Sequence, residues 1–335
     1  MDALRKIADA VLYEGYILWP YRRSALKNRQ RFTFGGVYPR AHSEGREDDP
    51  WRMRTEVLLE GESDARVDVR VRFLHIVERS VGRAAGGRLE CVDELTVAGT
   101  RHLSWSEATE REVVVEGVPL AALESPLRVP IEVAAGSERE ELLEPSGERA
   151  GAVVRSWRGL SGSVEIAARG LGPGLARLSV EIANTSSFEG GDREQALQQA
   201  FCSTHTVIQA EGAALVSQTD PPERLAADAE RCVNTGTWPV LVGEPGELHT
   251  ILSSPIILED YPRIAPESPG DLFDGGEIDQ LLTLSILSLT DAERADMRDS
   301  DPRARAILER TEALSEEELM RLHGAVQELR VARPA

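Results

Sequence analysis

The sequence predicts an α+β protein: a strand-rich antiparallel, sandwich-like body with a C-terminal helical segment. Three observations carry this reading. Arg66–His75, RVDVRVRFLH, alternates charged and apolar residues with the period of two that a half-buried strand requires. Further short runs of apolar residues follow, separated by Gly-rich turns, as in an antiparallel sheet that packs or rolls upon itself. Near the end, Thr290-Asp-Ala-Glu293 and Ser315-Glu-Glu-Glu318 have the spacing of capping boxes, in which a hydroxyl and a carboxylate satisfy free N–H groups at a helix start.

In chain order, Leu4, Ile7, Ala8, Val11 and Leu12 fall on one face of an amphipathic helix over residues 3–14. An aromatic and basic stretch follows, YILWPYRRSALKNRQRF (Tyr16–Phe32), and then a polar loop, His42–Pro50. From Trp51 to about Thr185 the predicted strands are Arg66–His75, Leu89–Val97, Glu112–Glu116, Leu127–Val133, Ala152–Trp157, Ser163–Ala168 and Ala176–Asn184. Gly170–Gly174, GLGPG, reads as a turn between two of them; no helix follows it, so it is not a nucleotide loop.

A second region starts near Gly190. Gln195–Val207 mixes helical and strand signals, and Glu223–Arg231 reads as a short helix. Within Val233–Pro269, PVLVG and SSPIILEDYP read as short extended pieces, because Pro245, Pro255, Pro262, Pro266 and Pro269 oppose a helix. Asp301-Pro302 reads as an N-cap followed by Pro at the first helical position, and another helix is expected to start at Asp274 with Glu277 at N3. The expected organisation is an N-terminal helix and aromatic–basic segment over 1–40, a strand-rich domain over 51–187, and a mixed segment ending in helices over 190–335.

With 335 residues the chain can bury a large core, and its composition, 41% hydrophobic and 28% charged, is that of a globular protein. The formal net charge of -19 argues against general nucleic-acid binding, which needs a broad basic field. No run approaches the length of a transmembrane helix, and charges at Asp2, Arg5, Lys6, Asp9 and Glu14 interrupt any secretory signal. Three cysteines, Cys91, Cys202 and Cys232, do not form a disulfide framework. The expected location is the cytoplasm.

Candidate chemistry is sparse. Cys202 and His205 have an i, i+3 spacing that can serve one metal, with Cys232 and His249 completing a set of four. Against this, a strand over 201–208 places Cys202 and His205 on opposite faces. Glu259, Asp260, Glu267, Asp271, Asp274, Glu277 and Asp279 form an acidic cluster, but EF-hand alignment puts Gly270 and Leu281 where carboxylates are needed. An acid/base pair of carboxylates and a dispersed Ser-His-Asp triad are further options, although no G-x-S-x-G, H-E-x-x-H or P-loop is present. These features do not establish an enzyme, and no cofactor is expected.

The aromatic–basic stretch is the sharpest anomaly. Gly15–Ser43 contains Arg22, Arg23, Lys27, Arg29, Arg31 and Arg40 and no acid, in a chain that is otherwise strongly acidic. It reads as a protein-binding surface with Trp19 and Tyr21 as anchors and Arg22, Lys27 and Arg29 as its charges. Membrane-surface attachment and internal neutralisation of the chain's own acids are the competing explanations.

LYEGYILWPYRRSALKNRQRFTFGGVYP, STHTV, CVNTGTWPVLVGEPGE, SSPIILEDYPRIAPESPGDLFD, EIDQLLTLSILSLTD and ILERTEALSEEELMRLHG together resemble an uncharacterised bacterial family. That family is encoded in gene clusters of high-affinity uptake [NiFe]-hydrogenases of actinobacterial type. The resemblance runs along most of the chain, is weakest in the strand-rich middle, and brings no catalytic residues. It implies a non-catalytic accessory protein that assists hydrogenase assembly or maturation by binding a hydrogenase subunit or maturation factor. The alternative is an enzyme or metal-handling protein using Cys202, His205, Cys232 and His249.

Overall fold

A computed structural model describes residues 35–262, 286, 289–299, 305, 308–309 and 311–313. The expected helix over 3–14, the aromatic–basic stretch with Trp19, Tyr21, Arg22, Lys27 and Arg29, the acids from Glu267 to Asp279, and the starts at Asp274, Asp301 and Ser315 lie outside these residues. The described residues fall into two compact units, one ending at Pro262 and one beyond it.

The first unit is a large, curled antiparallel sheet built around one strand. β1 (Arg52–Ala85) is 34 residues long, several times the usual strand length. The others, in chain order, are β2 (Arg88–Val92), β3 (Glu94–Val97), β4 (Thr100–Leu103), β5 (Trp105–Pro119), β6 (Leu127–Val133), β7 (Gly136–Leu143), β8 (Arg149–Trp157), β9 (Leu160–Gly172), β10 (Leu175–Asn184), β11 (Cys202–Leu215), β12 (Trp238–Leu241) and β13 (Thr250–Ser254). Eleven of them form one sheet whose main path runs β12-β13-β11-β1-β10-β9-β6, while β3 and β4 make a separate hairpin.

A strand has only two edges, and β1 shares both. Leu59 and Glu60 pair with β10 and with β11, and much of Arg66–Leu74 pairs with β11 and with β5. Glu78 and Arg79 pair with β5 and with β8, and Val81–Arg83 pair with β8 and with β2. One edge is therefore held in turn by β10, β5 and β2, and the other by β11 and then β8. The first hand-over falls at Gly61–Arg66, where the register with β11 shifts. Gly61 is required there, because a Cβ would overlap Ala213 and the carbonyl oxygen of Gly212 on the adjacent strand.

Alternation decides which face is buried. Val57, Leu59, Val67, Val69, Val71 and Phe73 of β1 point into the main core with Leu178, Val180 and Ile182 of β10 and Val164 and Ile166 of β9. Ile131, Ile208, Leu241, Ile251 and Phe201 complete it, and Leu123 plugs it from the 3-10 turn Leu120–Glu124. Each such side chain contributes ~1.5–3 kcal/mol of transfer free energy when fully buried. Apart from the covered Leu58, the opposite face of β1 is charged from Arg54 to Arg72, which meets Glu110 of β5 at 3.2 Å. Beyond it Leu74 and Ile76 are covered by Tyr38, Ala196, Leu197, Ala200 and Cys202.

The helix Arg193–Leu197 that supplies part of this cover starts with a capping box of its own, Asp192 with Gln195. It is pinned by Asp49, which accepts from Arg193 Nε at 3.0 Å and sits 3.0 Å from His42 Nε2. The loop His42–Pro50 is thus tied to the sheet's cover through a buried carboxylate. At the far end of β1, Val81, Val97, Leu142 and Val153 form a small separate core among the β2, β3–β4 and β7–β8 hairpins.

The strand-rich antiparallel class is as expected, and β6 has the expected limits. β9 and β10 join through Pro173-Gly174, with Gly172 opposite Leu175, so GLGPG is a hairpin turn. The domain border placed between 187 and 190 is corrected: β11 pairs with β1, and β13 and β12 extend the same sheet, so the compact unit continues to Pro262. Local sequence did not show this because the pairing is between residues well over a hundred positions apart.

In the second unit, the helix Asp291–Asp299 begins as its sequence requires. Glu293 Oε2 accepts from the Thr290 backbone N–H at 2.7 Å, and Thr290 Oγ1 accepts from Glu293 N–H at 3.4 Å. Ile286, Met297 and Leu308 pack together there. No helix among the described residues is long and apolar enough to cross a membrane.

Two positions in the sheet carry testable strain. Ser203 is fully buried, adopts φ +50°, and its hydroxyl has no partner. Ser203→Gly should therefore stabilise the protein by about 1 kcal/mol in urea melts, since it removes both the left-handed penalty and an unsatisfied polar group; equal or lower stability would refute this account. His75 is fully buried, and neither ring nitrogen makes a hydrogen bond of good geometry, the Arg158 backbone being its nearest hydrogen-bonding influence. Burial first, then the Arg111 guanidinium, push its pKa down to about 4, with the Arg158 backbone opposing them. The folded form thus resists a proton that the unfolded chain accepts below about 6.5. His75 should cost nothing above pH 6.5 and remove on the order of 3 kcal/mol as the pH falls from 6.5 to 4. His75→Leu should flatten that acid limb in urea melts taken at several pH values; an unchanged limb would show that His75 is not its source.

Candidate functional site

The four metal candidates lie in different surroundings. β11 carries a bulge: Cys202 faces Leu74 and His205 faces Arg72, so Ser203 and Thr204 oppose Phe73 alone. The extra residue reverses the parity, and Cys202 and His205 share a face rather than opposing one, which corrects the expectation from simple alternation. Cys202 packs with Tyr38, Leu74 and Ala200, and its Sγ lies 3.9 Å from the Ala200 carbonyl. His205 is buried with Nδ1 3.2 Å from the Ser203 carbonyl. Cys232 packs instead against Leu58, Val216, Leu225 and Ala229, and burial raises its thiol pKa. His249 is exposed. Among the described residues no group of three or more His, Cys, Asp or Glu is gathered as a metal would require.

Asp260, one of the acids considered for catalysis, is a structural clamp. Its Oδ2 accepts from the hydroxyls of Ser217 at 2.5 Å and Thr219 at 2.8 Å, and its Oδ1 accepts from Leu241 N–H at 2.7 Å. Tyr261 N–H donates to the Leu241 carbonyl at 2.7 Å. Leu241 therefore turns its backbone groups away from β13. By the alternation of an antiparallel ladder, Pro239 also faces the outer edge, where its missing N–H costs nothing. β12 is thus an end strand blunted by a proline and a capping carboxylate.

The end strand and the segments next to it expose large apolar side chains. Trp238 is 44% exposed, Val233 55% and Ile257 73%. Trp238 lies opposite Ser254 in the ladder, and Ile257 follows three residues later, so both sit at one end of the β12–β13 hairpin. The segment leading into Trp238 is held firmly. Glu56, only 6% exposed, takes Arg54 Nε and Nη2 on Oε1 at 3.1 and 2.5 Å and the Val233 N–H on Oε2 at 2.8 Å. The Glu56 N–H donates to Asn234 Oδ1 at 2.9 Å, and Arg54 and Thr235 exchange backbone bonds of 2.8 and 3.1 Å. The hydroxyls of Thr55, Ser253 and Thr237 then run in a buried chain with both contacts at 2.8 Å.

Such a surface offers rigid apolar anchors beside an edge that cannot readily accept another strand, which suits side-chain docking rather than strand addition. The sequence reading passed over these residues. PVLVG reads as an extended piece, but nothing in its sequence marks the preceding Trp238 as uncovered. No protein-family model matches the chain, and no curated protein or solved structure is significantly similar to it.

Replacing Glu56 by Ala should destabilise the fold by roughly 2 kcal/mol, because it leaves the Val233 N–H without its acceptor and removes one of the two carboxylates that hold Arg54. Urea unfolding of Glu56→Ala measures this directly; a change under about 1 kcal/mol would show that the clamp is not what holds Val233–Trp238.

Proposed function

We propose that this chain is a non-catalytic accessory protein that assists assembly or maturation of a [NiFe]-hydrogenase by binding another protein. The observation that carries the binding mode is Trp238, held exposed on a rigid end strand beside Ile257. Trp is among the residues most enriched at interface hot spots, and an anchor held in place before binding loses little conformational entropy. The family resemblance supplies the hydrogenase context. The partner class it favours is a hydrogenase subunit or maturation factor, and the aromatic–basic stretch with Trp19, Tyr21, Arg22, Lys27 and Arg29 is the second proposed binding element. The protein would act by binding one conformation or assembly state of its partner better than another.

Trp238→Ser combined with Ile257→Ser should reduce capture of hydrogenase components from the native host at least tenfold. That corresponds to more than about 1.4 kcal/mol, within the cost of truncating an interface anchor. The melting temperature should fall by only a few degrees, since both side chains are already partly in water. Arg22→Gln, Lys27→Gln and Arg29→Gln together should weaken capture most at low salt, where exposed charges are least screened. Undiminished capture by both variants would refute the proposed binding surfaces, and capture lacking every hydrogenase component would refute the context.

A further inference from the structure

We infer that the outer face of β9 and β10 holds a binding site for the oxyanion group of a small molecule, with Arg169 and Arg177 as its ligands. A cleft of about 510 Å3 opens there, within the size range of small-molecule sites. Arg54, Glu56, Glu124, Arg169, Arg177 and Ser179 line it.

The ladder explains why they meet. Arg177 lies directly opposite Arg169, and Ser179 opposite Ala167, so both guanidinium groups leave the same face of adjacent strands. Like charges placed directly across a strand pair repel. Several arginines of this sheet are answered by carboxylates: Arg54 by Glu56 and Glu181, Arg128 by Glu165, and Arg155 by Glu107 and Glu140. Among the described residues no carboxylate forms an ion pair with Arg169 or Arg177. Arg177 reaches the Asp228 carbonyl with Nη2 at 3.3 Å and lies within hydrogen-bonding reach of the Cys232 thiol, while its Nε is buried without a partner.

Two adjacent cations that no carboxylate meets at ion-pair distance leave guanidinium donors unfilled, although Glu56 and Glu124 share the cleft. Guanidinium groups present paired N–H donors that match a phosphate or carboxylate, and Ser179 adds a hydroxyl. Arg54 is already engaged by Glu56, so it frames the cleft rather than filling it. Glu124 is the opposing feature. Its carboxylate lowers the positive potential of the cleft and disfavours a ligand with a second negative group nearby. Neither Arg169 nor Arg177 belongs to the Trp238 surface, so failure of the anion site would leave the protein-binding proposal untouched.

The test is calorimetric titration of the full chain with inorganic phosphate and, separately, with acetate, at constant ionic strength set by chloride. Saturable one-to-one binding of either is expected, and the tighter of the two identifies the anionic group. Arg169→Gln, a change at an exposed position, should weaken that binding about tenfold, since a charge-assisted hydrogen bond is removed. Glu124→Gln should move it the other way, because a repelling carboxylate is lost. As a check independent of added ligand, Arg169→Gln should melt no lower than the unmodified protein in chloride alone, where only repulsion from Arg177 is relieved. No saturable binding of either anion, or equal binding by the unmodified protein and Arg169→Gln, would overturn the inference. So would weaker binding by Glu124→Gln or a clear loss of stability in Arg169→Gln.

Discussion

The described sheet depends on β1 being long enough to carry both halves of the fold. Five strands pair with it, three in turn along one edge and two along the other. A strand of 34 residues cannot remain flat across its neighbours, because each pair of strands adds right-handed twist. The hand-over at Gly61–Arg66 is where β10 gives way to β5, and the register shift there lets the two halves curve toward one interior. The apolar faces of β9, β10, β11 and β1 then bury one another without a second sheet.

Curling leaves an outer face that must be soluble or covered. Much of it is solved by charge: Arg70 with Glu112 and Glu116, Arg72 with Glu110, and Arg155 with Glu107 and Glu140 are cross-strand pairs. Pairs whose members are exposed, such as Arg70 with Glu112 and Glu116, contribute ~0–1 kcal/mol each, so they govern solubility and register more than stability. Where the outer face turns apolar, at Leu74 and Ile76, the chain returns as Arg193–Leu197 and covers it. Leu58 is covered in the same way by Leu225, Ala229 and Cys232. Cys202 and Cys232 are therefore both explained as packing residues, each in a different cover.

The departures from this pattern stand out against it. Trp238 and Ile257 are apolar groups left in water on a strand end that Pro239 and Asp260 keep from extending. Arg169 and Arg177 are cations placed directly opposite one another, and among the described residues no carboxylate forms an ion pair with either. Both exceptions lie on positions fixed by the ladder, and neither improves the fold where it stands. A binding function is the physical reason to keep an uncovered Trp or an unanswered guanidinium pair.

Local chemistry was readable from the sequence wherever neighbours within a few residues decide the outcome. Alternation in RVDVRVRFLH fixed the buried face of β1, GLGPG fixed the β9–β10 turn, and Thr290 with Glu293 fixed a helix start. The capping box at Asp192 and Gln195 was equally present in the sequence and went unused. Tertiary structure alone decided the rest. That β11 returns to β1, that a bulge at Ser203–Thr204 turns Cys202 and His205 to one face, and that Arg169 meets Arg177 all depend on which strands become neighbours. Strand pairing is a long-range choice made by burying apolar faces jointly, and no single segment contains it.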